Sequence, residues 1–107
     1  VSGFLVLTPG VDWATTGGLF DWTLEYLIDH LSDGTAVERL REILDNSLGS
    51  LWVSEFPSRV QREICNVLQE GIVAAGERDL PVSDYKASAV RSLEELANLA
   101  RSRLTGT

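Results

Sequence analysis

Few side chains in this sequence have the type and spacing that chemistry needs. The single histidine, His30, follows Asp29. Neighbours on a helix project about 100° apart, so the two form no general-base dyad, and His30 reads as a flanking surface residue. The single cysteine, Cys65, has no histidine near it in sequence, and Glu63 two residues before it disfavours a thiolate. It reads as a small, half-buried hydrophobe. One cysteine makes no internal disulfide, and one histidine with one cysteine builds no conventional zinc site. Thr16-Gly17-Gly18 lacks the Lys-Ser/Thr that a phosphate-cradling loop requires. Carboxylate neighbours such as Glu94 and Glu95 point to different sides of a helix. These residues argue against an enzyme, and they assign no catalytic residue, metal or cofactor.

Charge says more. The chain of 107 residues has a formal net charge of −7. Residues 1–55 hold nine acidic residues against Arg39 and Arg41, whereas residues 56–107 hold seven of each sign, so the first half carries the whole excess. Residues 1–34 contain Asp12, Asp21, Glu25, Asp29 and Asp33 and no lysine or arginine. A field of one sign steers basic partners and disfavours generic binding to nucleic acid. On a helical wheel starting at Phe20, the face opposite the apolar stripe, between about 140° and 240°, holds Trp22, Glu25, Tyr26, Asp29 and Asp33. Large aromatics ringed by charge match interface anchors better than an ordinary solvated face. Trp22, Glu25, Tyr26, Asp29 and Asp33, supported by Asp12 and Trp13, are therefore the candidate partner-binding residues. The competing reading packs Trp22 and Tyr26 beneath residues 9–18 or against the 51–56 segment.

The elements that must position these residues are mainly helical. Residues 3–8 read as a short strand ended by the Pro9-Gly10 turn signal, and residues 10–18 as loop. A first helix spans about residues 20–32, with Phe20, Leu24, Leu27, Ile28 and Leu31 on its apolar face and Asp33-Gly34 closing it. Thr35 with Glu38 fits a capping box for a second helix bearing Val37, Leu40, Ile43, Leu44 and Leu48. Residues 50–54 form either a second short strand pairing with residues 4–8 or an extended linker. A third helix starts near Pro57 or Ser58 and buries Val60, Ile64, Val67, Leu68 and Ile72, with Gly71 on the same stripe. A fourth follows Ser83 as N-cap, with Ala89, Val90, Leu93, Leu96, Ala97, Ala100 and Leu104 as its core face. The expected fold is mainly α: one domain over residues 1–107, a compact four-helix bundle with room for a minimal two-stranded β element at residues 4–8 and 50–54. Hydrophobic residues at 44% and charged residues at 23% exclude disorder as the default. No apolar run reaches the ~18 residues of a membrane span. The short Phe4–Leu7 run without a basic flank is no signal peptide, and the expected location is cytoplasmic.

Leu48-Gly49-Ser50-Leu51-Trp52, Phe56 through Ile64, and Leu80-Pro81 resemble small acidic proteins of high-GC bacteria, over about half of the chain. The resemblance brings no catalytic or binding residue with it. In size and charge alone the chain is also similar to immunity proteins that neutralise toxins. The functional expectation is a non-enzymatic, protein-binding module, an immunity protein or antitoxin-like inhibitor of a basic partner such as a nuclease toxin, as monomer or homodimer. The alternatives are a helical regulatory or structural protein that self-associates, and a small enzyme or ligand-binding bundle.

Overall fold

Pro9 and Gly10 set the first fold. Proline fixes the first turn position, and Gly10 takes φ +89°, a conformation glycine adopts at little cost. The turn joins β1 (Ser2–Thr8) to β2 (Val11–Thr16) as an antiparallel hairpin, with a register irregularity between Val6 and Thr8. Side chains alternate along β1, so Gly3, Leu5 and Leu7 face the side covered by the first helix while Phe4 and Val6 take the opposite face of the sheet, where Phe4 is exposed and Val6 is buried. A computed structural model describes residues 2–105. Beyond the hairpin come α1 (Gly17–His30), α2 (Gly34–Asp45), β3 (Ser50–Trp52), a 3-10 turn (Val53–Glu55), α3 (Ser58–Asp79) and α4 (Lys86–Thr105).

The architecture is not a four-helix bundle. All four helices form, but β3 pairs in parallel with β1, giving a three-stranded mixed sheet in the order β2-β1-β3. The expected two-stranded element is thus enlarged by residues 11–16, which are strand and not loop. Val11, Trp13, Thr15 and Thr16 suit a pleated surface, and the tight turn supplies β1 as partner. The sheet occupies one side of the core. α1 packs on β1 and bridges to α2 and α3, α4 lies antiparallel along α3 and reaches β2, and α2 touches β3. One hydrophobic cluster draws on all of them, with Leu5, Phe20, Leu24, Leu40, Leu51, Ile64, Leu68 and Leu93 among its fully buried members. Gly3 permits the α1–sheet approach, since a methyl there would run into the Phe20 Cβ and ring.

Helix starts shift for local reasons. Thr16 caps α1 by accepting from the Leu19 N–H at 3.3 Å. Asp33, not Thr35, caps α2: its Oδ1 accepts from the Ala36 N–H at 2.9 Å, and a carboxylate suits the positive end of the helix dipole. No side chain caps α3, because its N-cap residue is Pro57, which has no side-chain acceptor; Gln61 donates to the Phe56 carbonyl at 2.7 Å. Ser83 sits in a turn before α4, its hydroxyl accepting from the Tyr85 N–H at 3.2 Å.

Candidate partner-binding face of α1

Two rows run side by side along α1, each stepping by four residues. One is acidic: Asp21, Glu25 and Asp29, all exposed. The other is aromatic: Trp22, Tyr26 and His30. Residues four apart on a helix are surface neighbours, so the spacing alone brings these rings into contact. Trp22 and Tyr26 stack with centroids 5.8 Å apart and planes at 20°, and Tyr26 stacks on His30 at 4.1 Å and 26°. His30 Nδ1 lies 2.8 Å from the Tyr26 carbonyl; a carbonyl can only accept, so Nδ1 carries the proton and the ring is fixed in place.

Trp22 and Tyr26 are half-buried and rest against the edge of the core. They are neither core residues nor free surface. Tyr26 leans toward α3, where a methyl group on Gly71 would sit 2.8 Å from the tyrosine hydroxyl oxygen. Burial raises the Tyr26 pKa, Arg78 opposes that shift, and Glu70 adds to it. The missing side chain at Gly71 thus admits the phenol of α1. On the other flank, Ile28, Arg41 and Leu44 close a shallow groove of about 400 Å³ between α1 and α2, which Trp22, Glu25, Tyr26 and Asp29 also line. The groove has an apolar wall, an acidic rim and one cation.

Three of the sequence candidates lie elsewhere. Trp13 is 2% exposed and lies in the core; its indole N–H donates to the Ser92 carbonyl at 2.9 Å, joining β2 to α4. That burial removes it from any surface group. Asp12 pairs with Val6 across the hairpin and so shares the outer face of the sheet, opposite the face that α1 covers. Asp33 is engaged as the α2 cap and accepts from Arg59 at 2.9 Å, with its side chain 14% exposed. The Ala36 N–H, and then Arg59, hold its carboxyl below the usual aspartate range. Four candidates remain together: Trp22, Glu25, Tyr26 and Asp29. His30, Ile28, Arg41 and Leu44 complete the face and were not singled out from sequence. The step of four from Trp22 and Tyr26 to His30 was the available signal for the first of them.

A second exposed patch lies on the sheet. The parallel register sets Phe4 beside Ser50 and Val6 beside Trp52 on the outer face, where Phe4 is 36% and Trp52 44% exposed. Among the described residues, no helix is long and apolar enough to cross a membrane. No family model, curated protein or solved structure matches the chain.

Proposed function

We propose that the chain is a non-enzymatic, cytoplasmic protein-binding module, an immunity protein or antitoxin-like inhibitor that presents the α1 face to a basic partner such as a nuclease toxin. The observation that carries this reading is the pairing of the Asp21–Glu25–Asp29 row with the stacked Trp22–Tyr26–His30 row beside one groove. A nuclease carries a cationic groove for phosphate. Carboxylates speed encounter with such a groove, and half-buried rings supply the contact that slows escape. The stacking matters because rings already held in place lose little entropy on docking.

The test pairs the chain with the protein encoded beside its gene and follows binding at two ionic strengths. Glu25→Lys with Asp29→Lys lowers the association rate, and the defect shrinks as salt rises. Trp22→Ala raises the dissociation rate and leaves association unchanged. Asp33 is unsuited to charge reversal, because its loss uncaps α2. Normal rates in both folded variants place the interface away from α1 and overturn the reading.

Self-association is the second reading, and the Phe4–Trp52 patch on the outer sheet face favours it. Sedimentation equilibrium decides. A dimer that Trp52→Ser dissociates supports that reading, and a monomer at the highest soluble concentration refutes it.

A further inference from the structure

A smaller and more enclosed cavity lies at the far end of the α3–α4 pair. The helices are antiparallel, so the last turn of α4 comes beside the first turns of α3. The space between them is about 160 Å³. Val53 and Cys65, both buried, line it together with Leu104, while Ser58, Gln61, Arg62 and Arg103 supply the polar lining.

The balance of this lining is unusual for a chain of net charge −7. Among the described residues it contains two guanidinium groups and no carboxylate. Among the described residues, neither Arg62 nor Arg103 lies within ion-pair distance of an acidic side chain. Burial keeps the Cys65 thiol protonated by raising its pKa, against a smaller opposing effect of Arg103, so the wall adds no negative charge. Each guanidinium offers a planar fork of donors, which suits a ligand with several acceptor oxygens. Ser58 adds a hydroxyl donor, and Gln61 is held at the wall by its bond to the Phe56 carbonyl. The volume suits a compact oxyanion.

We propose that the cavity between Arg62 and Arg103 binds a phosphoryl group, as free phosphate or as the head of a small phosphomonoester. The overall negative field repels such an anion at long range, so saturable binding must come from the local pair of arginines.

The test titrates the whole chain by calorimetry with inorganic phosphate and, separately, with phenyl phosphate, at ionic strength held constant with sodium chloride. Arg62→Gln and Arg103→Gln each remove one fork, and Lys86→Gln, on the first turn of α4, makes the same charge change elsewhere. Wild type and Lys86→Gln bind saturably; each arginine variant, with unchanged circular dichroism, weakens binding ~10-fold or more, the usual worth of a hydrogen bond to a charged group. Tighter binding of inorganic phosphate identifies the free ion as the ligand, and tighter binding of phenyl phosphate identifies an ester. Absence of saturation with both probes, or equal binding in all three variants, overturns the assignment.

Discussion

Replacing Trp13 by phenylalanine separates the tryptophan that holds the fold from the one available for contact. Trp13 lies on β2 opposite Leu5, is 2% exposed, and donates to Ser92 on α4 at 2.9 Å. Phenylalanine replaces the bicyclic indole with a single ring and loses the N–H. The Ser92 carbonyl lies inside α4 and keeps its helical partner four residues on, so the lost bond costs about 1 kcal/mol without the extra cost of a stranded acceptor. The missing ring atoms cost about 2 kcal/mol more, at ~0.8 kcal/mol for each buried carbon-sized group. A total near 3 kcal/mol lowers the melting temperature by roughly 12 °C for a domain of this size, at ~4 °C per kcal/mol. Trp22→Phe removes part of a half-buried ring that lies outside the core, and its cost stays below about 1 kcal/mol. Urea unfolding followed by far-UV circular dichroism measures both. Equal costs at the two positions would show that Trp22 is as structural as Trp13, and the contact face would lose its anchor.

Leu40→Ala or Leu93→Ala, each at a fully buried site, costs about 2–5 kcal/mol in the same assay, and a cost under that range would misplace the core. Gly3→Ala drives a methyl into the Phe20 Cβ, which has no rotamer escape, and costs about 1–3 kcal/mol; retained stability would mean that α1 sits farther from β1 than described. Asp33 has a depressed folded pKa, so its stabilisation is present above the unfolded value of about 3.9 and is lost as pH falls from there through the folded value. Asp33→Asn keeps a capping side chain but removes that titration, so its stability falls less steeply with acid than that of wild type; identical acid profiles refute the assignment.

The helices were legible because their apolar residues recur at helical spacing over long segments, with breaks just before Gly34, which opens α2, and at Leu80-Pro81. The hairpin was not, because β2 buries only Trp13 and leaves Asp12, Ala14 and Thr16 exposed, so it shows no apolar run. Its identity depends on β1 as pairing partner, and pairing is a non-local fact. β3 could be read from sequence only as one of two alternatives, since three residues joined in parallel across two helices leave little local signature. The site followed the same rule. The acidic and aromatic rows of α1 could be read from spacing within one helix, whereas Arg41 and Leu44 enter the groove only through the way α2 packs. Asp33 was ambiguous because one carboxylate can serve as surface charge or as cap, and the geometry of the next helix decides.

The two rows on α1 bear differently on stability, and this yields a last test. Like charges four apart destabilise a helix by a few tenths of a kcal/mol per pair, and Asp21, Glu25 and Asp29 make two such pairs. None of the three is ion-paired among the described residues; Arg41 lines the same groove but lies beyond ion-pair distance. Glu25→Lys turns both repulsions into attractions at once, so it raises stability by about 0.5–1 kcal/mol. That one change also places a cation at the centre of the proposed contact face, where association with a basic partner depends on negative charge. A variant that is more stable and binds more slowly fits a face kept acidic for contact and not for folding. Loss of stability in Glu25→Lys would mean that Glu25 already has a stabilising partner in the folded chain, and the acidic row would then be a structural feature rather than a binding one.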